Sequence, residues 1–172
     1  NQTEQQPLAR VIYDATEKLS FTAVAGAEFR QFQNSAVGDR VTPIFEFGSV
    51  WTPFDSTRLS FRAFRGVKNS NAFNSQNYTI TGVSATIQQR FFQKFYARLT
   101  GGYENSDFYA TAPGNFAGRT DNYFLVRPSI TWKIKDWAEV ELFYQYRDLN
   151  STLARRDFDN NQVGIEAAFE YL

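Results

Sequence analysis

The sequence contains no cysteine, no histidine and no methionine. Without cysteine there is no disulfide framework and no thiolate site. Without histidine the commonest metal ligand and the commonest acid–base side chain are missing, and a Ser–His hydrolase is excluded. The absence of methionine even at position 1 leads to the expectation of a processed mature chain or a fragment, in which a targeting leader would already have been lost. No run of 18 apolar residues occurs, so the sequence codes for no transmembrane helix. Lys+Arg and Asp+Glu number 18 each, a formal net charge of zero. That balance leaves no basic footprint for nucleic acid.

What is present is aromatic and periodic. Phe, Trp and Tyr make up 17% of the 172 residues, well above the share expected of a soluble domain of this size. From Phe95 the chain alternates Phe95, Ala97, Leu99, Gly101, Tyr103 with Tyr96, Arg98, Thr100, Gly102, Glu104. From Ala138 it alternates Ala138, Val140, Leu142, Tyr144, Tyr146 with Glu139, Glu141, Phe143, Gln145, Arg147. A strand points successive side chains to opposite faces, so a period of two is the strand signal. One face is apolar and edged with aromatics; the other carries charges of both signs. That is the pattern of a barrel with lipid outside and a polar lumen. A mean hydropathy of −0.45 is compatible with it, because only alternate residues would meet lipid.

The pattern predicts nine extended segments: 8–15, 19–31, 41–52, 58–67, 78–91, 95–105, 122–134, 138–149 and 161–171. Connections of about three to five residues alternate with connections of about eight to sixteen, as short periplasmic turns and longer outer loops do. Loops 68–77 and 106–121 are the candidates for gating or for contact with partners. Arg65 falls on the apolar face of its segment, which calls for a rim position or a bulge. The fold expected is all-β, an antiparallel up-and-down transmembrane barrel. It either closes with eight strands from 19–172, leaving 1–18 as an N-terminal arm, or forms the C-terminal part of a larger barrel with 8–15 as its first strand.

Fourteen charged residues are predicted on the lumen face: Glu28, Arg30, Glu46, Arg58, Arg62, Arg90, Arg98, Glu104, Arg127, Glu139, Glu141, Arg147, Glu166 and Glu170. They either pair across strands and fill a small lumen, or line a wider channel. Glu139/Glu141 and Glu166/Glu170 are paired inward carboxylates of the kind that could act on a glycosidic bond, but acids facing arginines are the simpler account. Asp157-Phe158-Asp159-Asn160 offers oxygen ligands for Ca²⁺, with a solvated loop as the simpler account. No cofactor, no metal and no enzymatic activity are expected. The aromatics Trp51, Tyr103, Phe124, Trp132, Trp137, Tyr144, Tyr146, Phe169 and Tyr171 are predicted at the two membrane–water interfaces. Outer-membrane lipid is then the partner, and other barrel segments or envelope export proteins are further candidates. A soluble lipocalin-like ligand-binding barrel is the rival fold; it requires an apolar interior and would place Arg98, Arg127 and Glu141 outside.

Several stretches resemble the β-barrel porin-2 family of outer-membrane proteins. They are AGAEFRQF at 25–32, GVSATIQQRFFQKFYARLTGGYENSDF at 82–108, GRTDNYFLVRPSITWKIKDWAEVELFYQYRDLNS at 118–151 and DFDNNQVGIEAAFEYL at 157–172. Within them Gly102-Tyr103-Glu104, Arg119-Thr120-Asp121 and Tyr144-Gln145-Tyr146-Arg147 match recurrent elements of the family in order. The resemblance implies location in the bacterial outer membrane and a porin-like pore or scaffold. Genes of the family often sit beside those for exopolysaccharide synthesis and export. A small closed barrel acting as a membrane anchor or adhesin is the alternative. The family's barrels are usually longer than this chain, and their function is mostly inferred, so little chemistry carries over.

Overall fold

The computed structural model describes residues 2–32, 38–70, 76–111 and 118–170. These form ten strands: β1 Gln2–Gln5, β2 Leu8–Thr16, β3 Leu19–Phe32, β4 Arg40–Phe54, β5 Thr57–Asn69, β6 Gln76–Phe91, β7 Phe95–Ala110, β8 Arg119–Lys135, β9 Ala138–Ser151 and β10 Phe158–Phe169. All pair antiparallel in one sheet, with β3 to β10 in sequence order. Each hairpin joins neighbours, so the strands between the two edges satisfy their backbone groups locally where they pair, as hydrocarbon requires. In the three-residue turn between the paired Phe91 and Phe95, Phe92 and Gln93 take positive φ angles of 46° and 61°. That is the backbone twist a short hairpin connection demands.

The strands run further toward the long-loop side than periodicity suggests. β7 continues to Ala110 and β8 starts at Arg119, so much of the expected loop 106–121 is strand. β6 likewise starts at Gln76 and β5 ends at Asn69. Their polar residues hide the strand signal, because alternation of hydrophobicity is lost where neither face meets lipid. β1 carries no apolar residue and is invisible to the same reading.

Closure with eight strands is not observed. It would pair β10 with β3, but that edge of β3 is already taken by β2 along Leu8–Thr16 and by β1 along Gln2–Gln5. The two short strands share one edge, and the step between them crosses Gly26, where a Cβ would lie 2.1 Å from the Pro7 carbonyl oxygen. Among the described residues the outer edges of β2 and β10 pair with nothing, so the sheet is open. From β2 to β10 the antiparallel path has nine positions, which makes the two edge strands run in the same direction.

Two inner-face positions are held by a phenyl ring lying on a glycine. Phe64 faces Gly82 across β5–β6, and Phe143 faces Gly164 across β9–β10. A Cβ on Gly164 would come within 2.4 Å of the Phe143 ring, and one on Gly82 within 2.8 Å of Phe64. The rings therefore lie flat along the wall rather than across the interior. Gly164→Ala should destabilise the protein by about 1–3 kcal/mol through overpacking. Gly101→Ala, where the nearest atom to a new Cβ is 3.9 Å away, should leave stability nearly unchanged. Urea unfolding in detergent micelles measures both; equal effects at the two sites would contradict this packing.

Candidate functional site: a charged inner wall

The register decides which side chains share a face. Lys133 stands opposite Glu139, Thr131 opposite Glu141, Glu141 opposite Glu166 and Arg98 opposite Gln88. Followed across the sheet, this face carries Glu28, Arg30, Glu46, Arg58, Arg62, Arg90, Arg98, Glu104, Arg127, Glu139, Glu141, Arg147 and Glu166. Glu170 follows them two positions beyond Ala168, its backbone N–H donating to the Trp137 carbonyl at 2.9 Å. The opposite face exposes Phe45, Phe47, Phe61, Val83, Ile87, Leu99, Ile130, Leu142, Val163 and Ile165. An apolar surface of that extent is stable only against lipid or a partner. A lipocalin-like barrel would enclose that apolar face; here it is exposed, and the opposite face draws its side chains together across an intervening strand, Arg98 to Glu141 and Arg127 to Glu166.

The charges on β7 to β10 form one connected ladder. The Arg127 guanidinium donates to Glu141 at 2.8 Å and lies 3.4 Å from Glu166. Glu141 also lies 3.7 Å from Arg98 and accepts a hydrogen bond from the Thr131 hydroxyl at 3.1 Å. The Arg127 guanidinium stacks on the Phe143 ring at 4.2 Å, the ring seated on Gly164. Two carboxylates directly opposite each other would repel; Arg127 between them turns that repulsion into attraction. Glu141 and Glu166 are thus held by cations, and Glu139 lies opposite Lys133. Arg147 donates to Asn160 at 3.1 Å. On β4–β5, Arg62 and Glu46 pair at 3.0 Å, both about half exposed.

A second cluster sits at the long-loop end. Arg30 contacts Glu28 at 2.6 Å and Glu4 at 2.9 Å, and donates to Asn69 at 2.7 Å. Gln6 donates to Glu28 at 2.7 Å. Glu28 and Arg30 are 1% and 3% exposed, so they are covered rather than facing an open lumen. Periodicity places them on the right face but gives no sign of what covers them. A third pair, Arg119 and Asp121 at 3.0 Å, is nearly buried at the start of β8, with Arg119 stacked 3.6 Å from the Phe108 ring. It was missed as a site because its segment reads as loop. The continuing alternation of Arg119 and Asp121 with Thr120 and Asn122 is the signal that could have found it.

The aromatics follow the strand ends. Trp51, Trp132 and Trp137 are exposed beside the short turns; Phe95 stacks on Trp132 at 6.0 Å and Trp137 meets Phe169 at 6.5 Å. Tyr103 and Phe124 lie opposite each other toward the long loops, where the Tyr103 hydroxyl donates to Asn122 at 2.7 Å. Tyr144 donates to Asn161, and Tyr146 stands two residues further along. Tyr171 lies outside the described residues. Asp157, in the stretch considered for Ca²⁺, accepts from the Ser151 backbone N–H at 2.6 Å, and Asp159 enters β10 opposite Asp148.

A continuous antiparallel wall with an apolar, aromatic-edged outer face and an ion-paired inner face defines a β-barrel protein of the bacterial outer membrane. The chain belongs to the family described as "Putative beta-barrel porin 2", whose model matches residues 9–171. Among solved structures, it is similar to the loop-L8 deletion mutant of OmpT, an outer membrane protein of Vibrio cholerae. The identity is 19% and the TM-score 0.54, over 98% of this chain and 53% of that one, so the chain spans about half of that protein's length. No curated protein matches it.

The ladder predicts an asymmetry between acids. Glu141→Gln removes the shared partner of Arg98, Arg127 and Thr131 and should cost about 1–3 kcal/mol, since hydrogen bonds to a charged group are lost in a partly buried site. Glu46→Gln breaks a half-exposed pair and should cost less than about 1 kcal/mol. Denaturant midpoints in detergent compare the two directly. A Glu46 effect as large as that of Glu141 would refute the ladder as the stronger element.

Proposed function

We propose that this chain forms part of the wall of a passive outer-membrane pore for polar solutes, without catalytic chemistry, serving the export of envelope polysaccharide. The observation that carries the pore reading is the inner face. Its charges are paired along the wall, as Arg127–Glu141 and Arg62–Glu46 are, and the rings of Phe64 and Phe143 lie flat on glycines. Such a face is wettable and leaves the interior clear.

The two free edges support a barrel wider than this sheet. In hydrocarbon an unpaired strand edge leaves a row of unsatisfied amide groups, each costing several kcal/mol. Because β2 and β10 run in the same direction, joining them directly would make a parallel seam. An all-antiparallel closure needs an odd number of further strands between them. Each added strand widens the barrel beyond the eight-stranded size that side chains fill, toward one that encloses water. Non-enzymatic action is supported by the acids: Glu141 and Glu166 are both engaged by Arg127 rather than standing free as a pair of catalytic carboxyls. The link to polysaccharide export is supported by the family resemblance alone. Lipid is the surrounding medium, and envelope export proteins are the partners this reading implies.

The test is planar-bilayer conductance of the purified protein, with heat-modifiable gel migration on the same sample to show that it is folded. Ohmic current without an energy source is expected. Arg62→Gln and Arg98→Gln, each removing an inner-face cation at least about 40% exposed, should shift the reversal potential toward cation preference. Folded, inserted protein that passes no current would overturn the pore reading and leave a structural anchor.

A further inference from the structure

The sheet splits at its long-loop end. β4 and β5 pair from Phe54↔Thr57 up to Phe45↔Arg65 and no further. Above that point β4 stays with β3 as far as Arg40, while β5 stays with β6 as far as Asn69. The wall therefore divides into two leaves, one of β1, β3 and β4, the other beginning with β5, β6 and β7 and continuing into β8.

The contacts between the leaves join opposite faces. Arg30 and Arg40 stand opposite each other on the inner face of the first leaf. Their partners on the second leaf, Asn69, Asn77 and Tyr109, belong to its outer face, in register with Val67, Val83 and Tyr103 lower down. Arg30 donates to Asn69 at 2.7 Å, and Arg40 stacks on the Tyr109 ring at 3.9 Å. Asn77 lies 3.2 Å from Gln2 of β1. On the same outer face Asn77 and Thr79 are 3% and 2% exposed, whereas Val83 and Ile87 lower down are open. An outer face can meet the inner face of its neighbour only if the second leaf lies inside the first.

We propose that the upper ends of β5, β6 and β7 form a shelf folded inside the wall of β3–β4, latched by Arg30, which narrows the passage at the long-loop end. The narrowing rests on the pore reading; the shelf itself does not. The shelf explains the polar, buried outer residues Thr79 and Asn77 of β6, just beyond the point where Arg65 donates to Thr81 at 2.9 Å. It explains why Glu28 and Arg30 are buried beside Glu4 and Gln6. Overlap of the leaves also seals the opening where β4 and β5 part. The shelf's other face, turned to the passage, presents Tyr78 stacked on Phe108 at 4.7 Å, with Arg119 over the same ring.

The chain has no cysteine, so pairs can be introduced cleanly. In outer membranes carrying the full-length protein, a short bismaleimide should join Arg40→Cys to Tyr109→Cys. It should join Arg40→Cys to Phe108→Cys at least several-fold less, because position 108 faces the other way. Gel mobility of the denatured chain reads the link, and heat-modifiability confirms folding. Equal or reversed yields in folded protein would overturn the shelf. Arg30→Met should lower the 40–109 yield several-fold and raise single-channel conductance. If that variant fails to assemble, Asn69→Ala, which removes only the neutral end of the latch, should lower the yield in the same direction. Unchanged yield in the folded variant would overturn the latch. A strong 40–109 link in protein that conducts nothing would retain the shelf and refute the pore.

Discussion

Every peptide group that enters hydrocarbon must find its hydrogen-bond partner within the protein, and the rest of this structure depends on that requirement. It dictates strands joined by hairpins, each satisfied by the next, from β3 through β10. It forces period-two patterning, because a wall one residue thick has only two faces. It also makes the open edges of β2 and β10 the most consequential feature of the sheet. A soluble sheet can leave an edge to water; a membrane wall has no such outlet.

Given that wall, the inner face has its own electrostatic problem. Arginines and glutamates projected from neighbouring strands lie too close to ignore one another. Opposite charges in register, with Arg127 between Glu141 and Glu166, convert crowding into a ladder. The same side chains stack on Phe64 and Phe143, whose rings have room only because Gly82 and Gly164 lack a Cβ. Charge pairing and ring placement are therefore one arrangement: the glycine seats the ring, the ring supports the guanidinium, and the guanidinium holds the acid.

The departure from a simple barrel wall begins where β4 and β5 separate. On the outer face of β6, Val83, Ala85 and Ile87 are apolar and exposed, whereas Thr79 and Asn77, beyond the Arg65–Thr81 pair, are polar and buried. Lipid-facing and protein-facing stretches of one strand face thus meet at a single residue. The long-loop end consists of two layers rather than one, which gives it a buried charged centre at Arg30 and Glu28 that the lower wall lacks.

The sequence by itself determined nine of the ten strands, β2 to β10, their two faces and the membrane setting. Alternation in segments such as 95–105 and 138–149 reflects lipid on one side and water on the other, a local cause that leaves a local trace. It placed Arg98, Arg127, Glu141 and Glu166 on one face because strand parity is a property of spacing alone. Arg65 is a misfit for the same reason: no bulge interrupts the register from Thr57 to Asn69, and its guanidinium donates to Thr81 on the neighbouring strand at the last position where β5 still pairs with β4. Only the tertiary structure decided that β4 and β5 part above Arg65, that β1 and β2 share one edge of β3, and that the sheet stays open instead of closing on eight strands. Those outcomes depend on contacts between residues far apart in the chain, Arg30 with Asn69 and Arg40 with Tyr109, and no periodicity within a strand encodes which distant face it will meet.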